Sequence, residues 1–141
     1  MSNWFWLAVV AAALYGLHQV FTRLAADRIG DGIGGFIVEV SAAISILAYL
    51  AYLKLTNQWA QPVTNAGILW SVVTGICVGA GTIAFFLLFK RGGPLSAVPM
   101  ILAGGAALMA AVGVVGFREP LTRGRLVGIL LSIGGLYLLR R

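Results

Sequence analysis

The sequence predicts an all-α integral membrane protein of five transmembrane helices. Two features of composition carry that reading: 60% of the 141 residues are hydrophobic and only 10% are charged, against roughly a quarter charged in soluble domains. Pattern is the third, because the apolar residues form continuous runs and not the alternating segments of about 10 residues that a membrane barrel needs. With a mean hydropathy of +0.98, the solvent for most of the surface must be lipid.

Five runs approach the roughly 20 residues that cross a 30 Å hydrocarbon core. They are 4–22, 33–53, 66–89, 94–117 and 121–139. The first follows a start, Met-Ser-Asn-Trp-Phe-Trp, that has neither the basic residues nor the small-residue cleavage site of a signal peptide, so it is expected as a retained helix. Arg23, Asp27, Arg28 and Asp31 separate it from the second run, and Lys54 through Pro62 with Asn65 separate the second from the third. Lys90-Arg91-Gly92-Gly93-Pro94 opens the fourth, and Arg118-Glu119-Pro120 with Arg123 and Arg125 opens the fifth. Pro94 and Pro120 stand where a first helical turn tolerates a missing amide, whereas Pro99 lies one turn into the fourth run, frees a backbone carbonyl and permits a kink there, as a hinge or merely a bend. Trp4, Trp6, Trp59, Trp70 and Tyr137 lie near run ends, as interfacial anchors do.

These spans consume nearly the whole chain, which makes it one domain, 1–141, multi-pass in the inner (plasma) membrane, with any function inside the bilayer. Five crossings put the termini on opposite sides. The N-terminal side, A, then carries Lys54, Arg118, Arg123 and Arg125; the other, B, carries Arg23, Arg28, Lys90, Arg91, Arg140 and Arg141. Four against six is a weak bias, compatible with a cytoplasmic side B or with dual topology, in which oppositely inserted copies pair. The pI near 10.3 does not indicate nucleic acid, because the basic residues sit singly or in pairs between apolar runs. Cys77 is the single cysteine, so no disulfide or thiol metal site is expected, and no cofactor, metal or catalytic cluster is either. The chain reads as a non-enzyme.

Ionisable groups inside spans cost several kcal/mol unless they face protein or water. Glu39 is the carboxylate well inside a span, and His18 lies at a matching depth on the first helix. Tyr15, His18, Gln19 and Thr22 share one helical face by their i, i+3, i+4, i+7 spacing. The small residues Gly35, Ala42 and Ala43 flank Glu39 on its own face and admit a close neighbour. Since short loops join neighbouring helices, a His18–Glu39 contact is expected, with Thr82 and Ser96 adding hydroxyls in a polar vestibule open to side B. Tyr15, His18, Gln19 and Glu39 are therefore the candidate solute and proton site; packing roles alone are the competing reading. Gly75-x-x-x-Gly79 and Gly124-x-x-x-Gly128, the latter continued by Ser132, fit close helix packing, and Gly104-Gly105 thins the fourth helix.

The stretch Ala13-Leu14-Tyr15-Gly16-Leu17-His18-Gln19-Val20-Phe21-Thr22-Arg23, with Gly93-Pro94-Leu95-Ser96-Ala97-Val98-Pro99 and Gly116-Phe117-Arg118-Glu119-Pro120-Leu121-Thr122 before the last run, resembles the EamA-like domain of the drug/metabolite transporter superfamily. Tyr15 and His18 stand where that family commonly has Trp and Asn. Most members fuse two five-helix units in inverted orientation, so the resemblance implies half of a ten-helix inverted-repeat transporter. It is similar to the five-span bacterial and archaeal transporters, and is also related to the four-span small multidrug resistance proteins, which work as antiparallel dimers. Those keep a proton-coupling carboxylate in their first helix, where this chain has Tyr15 and His18, so the resemblance carries that role to no residue here, and Glu39 lies on a different helix. Glu119 fits the family turn, where it is expected to be structural and in reach of Arg123 at i+4.

Taken together, the expectation is a homodimer, antiparallel, that moves a small organic solute or metabolite by alternating access. An inverted pair with a site near the midplane is a common transporter plan, and one five-helix unit supplies half of it. Gly105, Gly124, Gly128 and Ser132 are the expected inter-subunit packing residues. A flippase for a lipid-linked substrate and a non-transporting scaffold or accessory subunit are the alternatives.

Overall fold

A computed structural model of the chain describes residues 3–118, 120 and 122–139; the side chains of residue 3 and, in the last helix, of 125, 129, 132, 133, 135, 136, 138 and 139 lie outside that description. The described residues are all-helical: α1 (Asn3–Ala26), α2 (Asp31–Leu55), α3 (Asn65–Lys90), a 3₁₀ turn (Leu95–Ala97), α4 (Val98–Val115) and α5 (Arg123–Leu139). Among these, α1, α2, α3 and the continuous segment Leu95–Val115 are long and apolar enough to cross a membrane.

Local chemistry sets the boundaries. Thr64 caps α3 by accepting the Gly67 amide at 3.0 Å on its hydroxyl, which satisfies one of the unpaired first-turn donors. Gly92 stops the same helix at φ 83° while its amide bonds the Phe89 carbonyl at 3.0 Å; a left-handed residue there is the usual glycine terminator. Asn57, at φ 55°, turns the chain after α2, a conformation asparagine tolerates better than most residues. Because the 3₁₀ turn occupies 95–97 and α4 begins at Val98, Pro99 falls in the first turn, where its missing amide leaves no hydrogen bond unmade.

The chain divides into two compact units, Met1–Gly92 and Gly93–Arg141. In the first, α3 is the central helix and packs on both α1 and α2, which touch each other only slightly. In the second, α4 packs on α5.

Packing in the first unit is concentrated at one end, although Leu53 near the far end of α2 is buried as well. Gln19, Thr22 and Ala26 of α1, Gly34 and Gly35 of α2, and Thr82, Phe86 and Phe89 of α3 are buried. Residues 4–17, 40–49 and 65–78 of the same helices are exposed throughout. Lipid is as apolar as leucine, so nothing drives those aliphatic surfaces together; close packing and hydrogen bonds decide where helices meet.

Candidate functional site

The α2–α3 pair is antiparallel, and its contacts fall in register. At the rim the Lys90 ammonium bonds Asp31 at 3.1 Å. One turn deeper Phe86, fully buried, lies over Gly34: a Cβ on that glycine would come within 2.6 Å of the ring. Glycine is required there because any side chain would strike the ring. Gly35 next to it faces Ile83 and Thr82 at ordinary contact distances of 3.5 and 3.8 Å. Deeper still, the Thr82 hydroxyl donates to Glu39 Oε1 at 2.7 Å. Glu39 is eight residues past Asp31 and Thr82 eight before Lys90, so this bond lies about 12 Å along the helices from the rim.

The threonine is well suited to that place. A half-buried carboxylate inside a span needs a donor, and an interhelical hydrogen bond in a membrane contributes about 0.6 kcal/mol on average and up to about 1.7. Thr82 is 4% exposed, so its hydroxyl faces Glu39 and little else. Beyond this bond Leu53 is the one further buried residue among the described residues of the three helices, which puts the carboxylate at the inner edge of the packed end.

On α1 the predicted polar face is only partly gathered. Gln19 and Thr22 are buried and His18 is half-buried, but Tyr15 is 69% exposed and points away from the packed residues. Thr22 returns its hydroxyl to the His18 carbonyl at 2.8 Å, a backbone bond within its own helix. Arg23 lies over the Phe89 ring at 5.8 Å and pairs with Asp27, which fastens α1 to α3 at the rim. His18 Nδ1 and Gln19 Oε1 are both buried without a hydrogen-bond partner among the described residues, an arrangement that costs about 1–3 kcal/mol per group unless a ligand or water supplies a donor.

Two expectations change. His18 and Glu39 form no ion pair or hydrogen bond among the described residues, because α3 and not α2 packs on α1, and the Glu39 carboxylate is taken by Thr82. The vestibule toward side B is also not formed among the described residues of this unit: Phe86 and Phe89 fill that end, and the largely exposed halves lie toward side A. Gly34 and Phe86, which set the helix spacing, were not picked out from sequence; the adjacent pair Gly34-Gly35 in a helix was the available signal.

Ser96 is exposed in the 3₁₀ turn of the second unit. Gly105, Gly124 and Gly128 are exposed, and a Cβ at Gly105 or Gly124 would meet nothing within 4 Å. The side chain of Ser132, and Glu119 altogether, lie outside the described residues. No group of His, Cys, Asp and Glu able to hold a metal ion occurs among the described residues.

Comparison with known proteins agrees with a membrane chain built around a few apolar helices. No family model matches it, and no solved structure does. It is 24% identical over 140 residues, 98% of this chain and 96% of the relative, to a Sinorhizobium sp. protein named uncharacterized transporter in cobO 3'region. It is 35% identical over 107 residues to multidrug resistance protein EbrB of Bacillus licheniformis, covering 74% of this chain and 83% of that protein. On that likeness, and with long apolar helices as its frame, the chain belongs to the small multidrug resistance family.

Proposed function

We propose that the protein is a membrane transporter that moves a small organic solute by alternating access, working as an antiparallel homodimer with Glu39 in its site. The observation that carries this is the Thr82–Glu39 bond: a carboxylate two turns inside a span, held between two helices at the inner edge of their packed end. An ionised carboxylate there is stable only with partners, so a proton and a solute bearing donors or positive charge compete for it. Such competition is what couples a proton to a solute. Gln19 Oε1 and His18 Nδ1 supply two further unfilled acceptors on α1, and Tyr15 joins them if the site extends along its exposed face.

The multidrug name of the EbrB relative supports an organic solute. Its match leaves about a quarter of this chain outside, close to the length of α1 and its loop. In our reading α1 is the additional helix and α2 to α5 correspond to the four spans of the family. Glu39 then lies in the first of those four, where the family keeps its proton-coupling carboxylate, and the departure seen when α1 is counted first disappears. On this reading α5 is the fifth span and the chain is one EamA-like unit, half of an inverted-repeat pair, with Gly105, Gly124, Gly128 and Ser132 as the inter-subunit stripe.

Solute-driven proton flux in proteoliposomes tests the proposal. Glu39→Gln should abolish flux while helical content and oligomer size persist, and unchanged flux would remove Glu39 from the mechanism. Exchange of a lipid-linked substrate without solute flux would favour a flippase. C-terminal reporters active on one side of the membrane test the antiparallel pair: signal from a single side only would exclude it.

A further inference from the structure

We propose that the turn after α1 forms a site for an anionic phospholipid, separate from the Glu39 site, with Arg28 holding the phosphate. Arg23 pairs with Asp27 and Lys90 with Asp31, whereas Arg28 takes part in no ion pair among the described residues. Its Nη1 donates to the Leu24 carbonyl at 3.0 Å. That bond folds the side chain back along α1 and leaves most of the five donors of the guanidinium for another acceptor.

The folded-back side chain ends at an open groove of about 430 Å³, lined also by Phe21, Leu24, Ala25 and Ile29. Phe21 and Leu24 are more than half exposed. The groove thus has a cationic head at the rim of the span and an apolar floor inside it. Beside it a hollow of about 310 Å³ shares Leu24 and Arg28 and adds Arg23 and Asp27.

Charge selects the occupant. Arg23 neutralises Asp27, so the three groups sum to one positive charge, and the carbonyls at the end of α1 subtract part of it. A phosphate with no cation of its own gains from that field, and its planar bidentate pairing is what a guanidinium provides. A zwitterionic choline headgroup brings a positive charge against the same arginines. Acyl carbon on Phe21 and Leu24 supplies the rest, as expected for basic sites at the mouths of membrane helices.

Native mass spectrometry of the full-length protein from micelles, with phosphatidylglycerol or phosphatidylcholine added, tests this. Phosphatidylglycerol adducts should exceed phosphatidylcholine adducts, and Arg28→Gln should lower them about fivefold, the effect of one interfacial cation at about 1 kcal/mol. Leu24→Asn should lower them with the headgroup pairing intact, while Arg118→Gln, the same charge change in the other unit, should not. Helical content of each variant reports folding. Equal binding of the two lipids, wild-type retention in Arg28→Gln, or displacement of phosphatidylglycerol by inorganic phosphate alone would overturn the proposal, the last by reducing it to a simple anion site.

Discussion

Replacing Gly34 and Gly35 by alanine, one at a time, isolates the contact that sets the distance between α2 and α3. An added Cβ at Gly34 meets Phe86 at 2.6 and 2.7 Å and Ile29 at 2.9 Å, whereas at Gly35 its nearest neighbour is Ile83 at 3.5 Å. Carbon atoms rest at about 3.5–4.0 Å, so in the Gly34 variant the buried Phe86 ring and the Ile29 methyl must shift or the helix pair must open, by about 1 Å. Overpacking of this kind costs about 1–3 kcal/mol. Opening of the pair would also stretch the 2.7 Å Thr82–Glu39 bond, adding about 0.6 kcal/mol. Both substitutions gain the same helix propensity, about 1 kcal/mol for Gly to Ala, so it cancels in the comparison. Gly34→Ala should therefore be about 1.5–3.5 kcal/mol less stable than Gly35→Ala in reversible detergent unfolding followed by circular dichroism, and adding Phe86→Leu should recover part of the loss. Alanine variants that unfold within about 0.5 kcal/mol of each other would refute the close approach of Phe86 to Gly34.

Thr82→Val keeps the shape of the side chain and removes the donor to Glu39, so unfolding should show a loss of about 0.6–1.7 kcal/mol, with Thr82→Ser close to wild type. The Asp31–Lys90 pair is more than a third exposed at both side chains, and Lys90→Met should cost no more than about 1 kcal/mol, less at high salt; a larger, salt-insensitive loss would mean the pair is buried. Thr64→Ala should destabilise α3 by about 0.5–2 kcal/mol through its lost cap, seen as faster hydrogen exchange at the Gly67 amide with no change at the Phe86 end of the helix.

What sequence revealed of this fold depended on contrast with lipid. Span positions were legible because charges interrupt apolar runs, and Glu39 with its small neighbour Gly35 stood out because a carboxylate in hydrocarbon needs protein beside it. Thr82 was recognised as a hydroxyl in the same half. Its pairing was not, because nothing in the run Ala84-Phe85-Phe86-Leu87-Leu88-Phe89 says which face meets a helix and which meets lipid. In water the buried face would be marked by polarity on the other side; in a bilayer both are apolar. The same loss of contrast explains the His18–Glu39 expectation. Short loops suggested α1 beside α2, yet α3 is the helix that packs on both. The first-turn place of Pro99 is hidden for a different reason: the 3₁₀ turn shifts the start of α4 to Val98, and hydropathy does not distinguish a 3₁₀ turn from the first turn of an α-helix.

The Thr82–Glu39 bond also bears on how the chain enters the bilayer. Its partners are 43 residues apart in sequence, so a ribosome releases Glu39 well before Thr82 exists to satisfy it. An unpaired carboxylate at mid-span raises the insertion free energy by about 2.5–3.5 kcal/mol, somewhat less at the depth of Glu39. The second helix is thus a poor candidate for crossing into lipid alone. It gains a donor, a rim cation in Lys90 and the Phe86 ring only when the third follows, so the energetics favour entry of residues 31–90 into the bilayer as a hairpin over entry of the second helix alone.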